Sequence, residues 1–317
     1  MIDISIIVPA YNSSRYIEKC ISQICRQTFS GTVELVFVDD CSSDNTVSEI
    51  KRVVEKYAFP GTYRIVRHEV NKGVAAARVT GILNSCGCYI LFCDSDDWMD
   101  ERMCEMMYEE ARSHKADLVV CDYNNILCSG KVCKSSNNYE ADFLQGLLLC
   151  RCTGSLWNKL IKREILIRED FIYPTASFCE DYVYSIQVAI MADKIRYLPI
   201  PLYNYCHREG SIVRSKNDVA IKQRIQENLA NHRLVEKILQ ESNLFHKYYS
   251  QALALKLIVK NSIRSYLPSK EYYKLWRDTY PEMTRDIFKS DHITFRAKIA
   301  YFMTMLGLYA AIKKYIK

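Results

Sequence analysis

No stretch of this 317-residue chain reaches the ~18 consecutive apolar residues of a membrane-spanning helix. No basic segment followed by an apolar one opens it, and a strand-like run begins almost at once, so no secretory leader is expected. The 14 cysteines include no C-x-x-C pair, which argues against a zinc site. Several of them, such as Cys20, Cys88, Cys93 and Cys121, lie in apolar runs and read as small core hydrophobes of a reducing compartment. No G-x-G-x-x-G follows a strand, which disfavours a dinucleotide-binding oxidoreductase. Internal repeats and low-complexity linkers are missing too. The expectation from these absences is a cytoplasmic protein.

The chain is long enough to bury a large core in one or two domains. Its formal charge of +6 is unevenly spread. Residues 211–317 hold 20 lysines and arginines against 9 acids, whereas residues 1–210 hold 23 against 28. The acidic front disfavours nucleic acid as a partner, and the basic tail suggests a phosphate-rich surface.

Strand-like runs over 4–8, 33–38, 63–67, 88–93 and 118–121 alternate with helical patterns such as Ile17, Ile21, Ile24 and Val47, Ile50, Val54. Alternation of this kind predicts an α/β fold, a mainly parallel twisted sheet flanked by helices, whose ligands bind beyond the carboxyl ends of the strands. Residues 141–210 look mixed, with helices near 143–149 and after Glu180. From about Ile212 the pattern turns helical. The predicted division is a domain over 1–211 and a basic helical region over 212–317.

Four polar clusters fall at strand ends: Pro9-Ala10-Tyr11-Asn12, Asp39-Asp40-Cys41-Ser42-Ser43-Asp44, Asn71-Lys72-Gly73 and Asp94-Ser95-Asp96-Asp97. One such cluster is explained by turn chemistry; four converging on one edge read as a site. The last is the most telling. Three carboxylates where a buried strand emerges need donors, water or a cation to offset their repulsion. Asp94 and Asp96 are two apart and point the same way in extended chain. Such an oxygen-rich pair suits Mg²⁺ or Mn²⁺ holding a diphosphate. A helix N-cap at Asp97 or Asp100 accounts for one acid of the cluster.

Together with Ser5-Ile6-Ile7-Val8 before Pro9, with Arg78, and with Glu180-Asp181 downstream, these motifs resemble family-2 glycosyltransferases of the GT-A fold. Trp157-Asn158-Lys159-Leu160 resembles the segment that precedes the acidic pair in bacterial surface-polysaccharide members. The likeness covers about residues 2–215. It implies a hexosyltransferase that moves one sugar from a nucleotide-diphospho-sugar, usually UDP-linked, with a divalent metal and inversion at the anomeric carbon. By match, Pro9, Tyr11 and Asn12 line the nucleotide pocket. Asp40 accepts from the uracil N3–H, with Asp39 beside it, and Asn71, Lys72, Gly73 and Arg78 complete the donor pocket. Asp94 with Ser95 contacts the ribose, Asp96 the metal, and Asp181 is the base. Cys41 departs from the family's usual glycine. The Q-x-x-R-W motif of processive synthases is missing, so single-sugar transfer is expected. The acceptor implied is a glycan or lipid-linked precursor.

Elementary chemistry agrees with that assignment. Departure of a diphosphate leaves negative charge for a cation near Asp96 to neutralise. A carboxylate that takes the acceptor's proton is typically worth ~10²–10⁴-fold in rate. Several residues carry a plainer reading as well. Glu180 and Asp181 could be an ordinary first-turn pair favoured by the helix dipole. Arg78 and Lys72 could pair with surface acids such as Glu69. Trp157 could stack on a sugar or lie in the core, and Lys159 shares its segment. Asp97 could simply cap a helix, and His207 reads more readily as structural.

A sugar-1-phosphate nucleotidyltransferase would carry a glycine-rich loop after the first strand, and Pro9–Arg15 contains no glycine. A non-catalytic nucleotide-sugar-binding module would dispense with the base or metal acids, and both are present. Near the end, a largely apolar run over 299–312 is flanked by Arg296 and Lys298 before it and by Lys313, Lys314 and Lys317 after it. It is too short to span a bilayer and reads either as an interfacial helix on an anionic membrane face or as a helix packed on the protein.

Overall fold

A computed structural model of the chain describes residues 2–136, 139, 141–208, 217–267 and 269–308. It divides into two compact units: Met1–Tyr139 with Thr153–Lys216, and Glu140–Cys152 with Asn217–Lys317. The expected boundary near 211 lies outside the described residues. Residues 140–152, expected with the first domain, group with the C-terminal unit. There Asp142 caps the helix Phe143–Leu148 by accepting from Gln145 N (2.9 Å) and also accepts from Tyr248 Oη (2.8 Å).

The first unit carries strands β1 (Ile4–Ala10), β2 (Val33–Asp39), β3 (Thr62–Arg67), β4 (Tyr89–Phe92), β5 (Trp98–Met99), β6 (Leu118–Ile126), β7 (Val132–Ser135), β8 (Lys159–Lys162) and β9 (Ile195–Cys206). Its helices are α1 (Ile17–Ile24), α2 (Thr46–Lys56), α3 (Gly73–Leu83), α4 (Met103–His114), α6 (Arg163–Leu166) and α7 (Glu180–Met191), with α5 (Phe143–Leu148) in the other unit. The strands form one sheet in the order β3-β2-β1-β4-β8-β6-β9-β5, with β7 on β6. The β3-β2-β1-β4 half is parallel, as alternating strands and helices require. The other half is mixed: β8 runs antiparallel to both β4 and β6, whereas β9 is parallel to β6. Parallel neighbours need a long crossover, and β8, which follows a loop rather than a crossover helix of the sheet, pairs in the other direction.

The core of this unit is aliphatic and fully enclosed. Ile4, Ile6, Val8, Leu35, Phe37, Leu91 and Val119 are all 0% exposed. Proline in a central strand normally forfeits a ladder bond. Pro9 does not, because β4 leaves β1 after Ile7↔Phe92, so nothing pairs on the side Pro9 faces. The β1–β2 ladder continues to Ala10↔Asp39. The sheet therefore opens beyond Ile7, and the acidic loop after β4 emerges into that opening.

In the C-terminal unit, α8 (Asp218–Glu241), α9 (Tyr249–Arg264), α10 (Lys270–Asp278), α11 (Met283–Asp286) and α12 (Phe295–Met305) pack around Trp276, Ile263, Leu253 and Tyr301. No described helix is long and apolar enough to cross a membrane.

Candidate active site

A cleft of about 800 Å³ opens where β1 and β4 part. Among the residues expected at a site, Pro9, Tyr11, Arg78, Asp94, Ser95, Asp96, Trp157, Glu180 and Asp181 line it. The strand ends and the start of α7 thus meet in one place although up to 172 positions separate Pro9 from Asp181.

Arg78 is its central strut. It is 4% exposed and reaches from α3 to both acidic elements. Its Nη2 donates to Asp94 Oδ1 (3.2 Å) and its Nη1 donates to Glu180 Oε1. Its Nε is buried without a hydrogen-bond partner. Glu180 is buried by this pairing, while the neighbouring Asp181 faces the cleft. Burial raises the Asp181 carboxyl above the ordinary 3.8; Arg78 opposes that rise and Asp94 adds to it. Its Oδ1 accepts from its own helix's Tyr182 N (2.8 Å). α7 starts after Cys179, whose φ of 64° is left-handed and turns the acidic pair inward.

Asp96 pairs with Arg208 Nη2, and the Arg208 guanidinium lies 4.2 Å from the Tyr16 ring centre. Ser95 Oγ and Ser13 Oγ are 2.7 Å apart, joining the acidic loop to the loop after β1. Asp97 is placed differently. It is 1% exposed, accepts from Cys206 N (2.7 Å) and Tyr203 Oη (3.0 Å), and fastens β9 to the acidic loop. Burial, and then the Asp94 charge, push its pKa well above the ordinary value, and both of its oxygens are taken up by these two donors.

Other expected residues stand behind the cleft. Asp40 is 3% exposed. It accepts from Lys72 N and Gly73 N (2.8 Å each), and His68 Nδ1 lies 2.7 Å from its Oδ1. Through these contacts it organises the Asn71-Lys72-Gly73 loop, and the Asn71 amide donates to its backbone oxygen (3.3 Å). Gly73 has φ +83°, and a Cβ there would sit 2.3 Å from Ser177 Oγ, a wall residue of the cleft. Asp39 is fully buried against Arg67 Nε (3.0 Å). Asn12, at φ 48°, accepts at Oδ1 from Ser43 N (2.9 Å) and pins the turn after β2. In that turn Cys41 takes φ 62°, the conformation a glycine would supply.

Lys159 is a strut rather than a ligand. It is 0% exposed, and its Nζ donates to Thr153 O (2.9 Å), Ser155 O (2.5 Å) and Asn158 Oδ1 (3.0 Å). This holds the loop whose Thr153, Ser155 and Trp157 meet the cleft. Trp157 is 7% exposed and stacks on Tyr203 (4.5 Å) and Tyr205 (5.7 Å), so core packing takes most of its surface. His207 Nε2 lies 3.0 Å from Asn125 Oδ1 and ties β9 to β6; the basic group reaching the cleft is its neighbour Arg208. Arg208, Tyr16, Ser13 and Ser177 were missed in the sequence. Arg208 alone had a signal, as the basic residue directly after His207.

The family model for glycosyl transferase family 2 matches residues 5–182. EpsH of Bacillus subtilis, which carries a glycosyltransferase name, is 29% identical over 255 residues, covering 77% of this chain and 71% of its own. The crystal structure of Staphylococcus aureus TarS residues 1–349 in complex with UDP-GlcNAc superposes with a TM-score of 0.62 at 18% identity, over 95% of this chain and 92% of that one. The mannosyltransferase PcManGT from Pyrobaculum calidifontis, in complex with GDP-Man and Mn²⁺, superposes with a TM-score of 0.53 at 16% identity, over 99% and 87%. With more than half of its length matched and this cleft at the sheet's carboxyl edge, the chain belongs to glycosyl transferase family 2 and is a glycosyltransferase of the GT-A fold.

Proposed function

We propose that the enzyme transfers a single sugar, with inversion, from a UDP-linked donor to a hydroxyl of a lipid-linked or polysaccharide precursor at the inner face of the cell membrane. The observation that carries this reading is the convergence of Asp94, Asp96, Arg78 and Asp181 on one cleft. The UDP-GlcNAc complex of TarS supports the uridine donor. Two carboxylates, Asp94 and Asp96, offer hard oxygens of the kind Mg²⁺ or Mn²⁺ takes. Arginines now balance their charge. The described residues contain no group of three or more His, Cys, Asp or Glu able to hold a metal by themselves. Asp94 and Asp96 alone would fill only part of such a cation's oxygen shell, and a diphosphate could supply more of it. When bound, that cation neutralises charge on the departing diphosphate.

The chain's own groups do the rest. The buried Nε–H of Arg78 lacks an acceptor, and an anionic oxygen at the cleft would satisfy it. Tyr11, Pro9, Ser95 and Asp94 line the cleft; in this reading the first two take the base and the other two the ribose. Asp181 takes the proton from the incoming hydroxyl. Its raised pKa makes it a stronger base than an exposed aspartate. Glu180 and Arg78 hold Asp181's helix against the donor side.

The test is a panel of nucleotide sugars with Mn²⁺, scored by nucleotide release with and without lipid-diphosphate and polysaccharide acceptors. UDP release from one UDP-sugar, absent in Asp181→Asn, is the expected result. Release from no donor by folded protein would refute the reading.

A further inference from the structure

The C-terminal unit exposes apolar surface on a helix whose other side is buried. Along α12, Ala300 (6%), Tyr301 (2%) and Thr304 (0%) face the core of that unit. Phe295 (71% exposed), Ile299 (45%) and Leu306 (74%) point outward, with the partly buried Phe302 between them. These four positions follow i, i+4, i+7, i+11 and so form one stripe. Phe288 (58% exposed) widens it by stacking on Phe302 at 5.6 Å. Single exposed hydrophobes are ordinary; a contiguous, aromatic-rich stripe mounted on a packed helix marks a contact surface.

Cations rim this stripe. Arg296 is exposed, Lys298 Nζ lies 5.5 Å from the Phe288 ring centre, and the side chains of Arg285 and Lys289 are 78% and 57% exposed. Asp286 pairs with both Arg285 and Lys289, and Glu282 also acts on Arg285, so part of that charge is balanced. In the sequence the positive run continues with Lys313, Lys314 and Lys317, which lie outside the described residues together with Tyr309 to Ile312.

We propose that this face of α12 docks on an anionic lipid bilayer, with Phe288, Phe295, Ile299 and Leu306 at the acyl boundary and the cations among the headgroups. Charge decides between occupants. A second copy of this chain, pairing the stripe with itself about a two-fold axis, would set the cationic rim against its own like. An anionic membrane takes both the apolar stripe and the rim. The proposal deepens the reading of an enzyme at a membrane face and rests on it for location; its test scores binding and turnover separately.

The experiment is sedimentation of the full chain with phosphatidylglycerol-containing vesicles and with pure phosphatidylcholine vesicles, at low and high salt. Wild type should pellet with the anionic vesicles, less so as salt rises. The triple variant Phe295→Ser, Ile299→Ser, Leu306→Ser should lose at least about tenfold in partitioning. Arg296→Glu, which leaves the apolar stripe whole, should lose anionic selectivity. Val219→Ser, at an equally exposed residue of α8 (73%), should bind as wild type. UDP release in vesicle-free solution should be equal in all four proteins. Its absence from all of them would refute the transferase reading and leave docking intact. Equal pelleting of wild type and the triple variant, no pelleting at low salt, or indifference to lipid charge would overturn the proposal. So would a lipid-free dimer that the triple variant turns into a monomer.

Discussion

At the residue scale, Asp181 and Glu180 show how neighbours in sequence divide roles. Glu180 is consumed by Arg78, whereas Asp181 meets the cleft with its pKa raised by burial. Activity that needs ionised Asp181 should rise with pH through an inflection above 3.8, and the Asp181→Asn variant should lose that acid limb. That change removes the basic oxygen and keeps the shape. Transfer should fall by ~10²-fold or more while donor affinity, read by calorimetry, stays within a few fold. Loss of both together would make Asp181 a binding residue. Asp97 is the other raised acid, and its sign follows. Its contribution to stability is complete below the ordinary carboxyl pKa and is lost as pH climbs through its elevated value. Asp97→Ala leaves Cys206 N–H and Tyr203 O–H without their acceptor, which should cost about 1–3 kcal/mol in urea unfolding. Asp97→Asn keeps an acceptor and should cost less.

At the element scale, the turns that aim the site use left-handed backbone at residues that are not glycine. Asn12, Cys41 and Cys179 have φ of 48°, 62° and 64°. Asparagine tolerates this conformation, while a cysteine held there carries roughly 1–2 kcal/mol of strain. Cys41→Gly relieves that strain but frees the unfolded chain by about 0.4–1 kcal/mol, so a net gain of about 0.5 kcal/mol is expected. Cys41→Val adds β-branching at positive φ and should lose stability. Urea midpoints should therefore rank Gly above Cys above Val, with donor binding unchanged by Cys41→Gly. Cys above Gly would mean that the Sγ contact with Glu69 O (3.3 Å) outweighs the strain. Cys179, directly before Glu180, aims α7 by the same device.

At the scale of the whole molecule, the cleft gathers acids whose charges arginines now balance, and removing metal should expose that arrangement. EDTA should abolish transfer and Mn²⁺ or Mg²⁺ restore it, while Asp96→Ala should lose most activity with its circular dichroism unchanged. Full activity of Asp96→Ala in chelated buffer would contradict a metal role. The strand–helix alternation, the four polar clusters at strand ends and the family resemblance were all legible in the sequence. Each rests on local periodicity and spacing that a chain carries wherever it folds. The parallel half of the sheet followed from them, since crossovers of that length leave few alternatives. What the sequence left open depends on partners distant along the chain. Tertiary packing turns Asp40, Asp39 and Asp97 to protein donors and leaves Asp94, Asp96 and Asp181 lining the cleft. Lys159 and His207 are held by protein partners, and it is Arg208, next to His207, that pairs with Asp96. A motif names the residue types a site requires. Only tertiary packing spends each oxygen and each N–H, because a buried polar group goes to whichever partner the fold brings within about 3 Å.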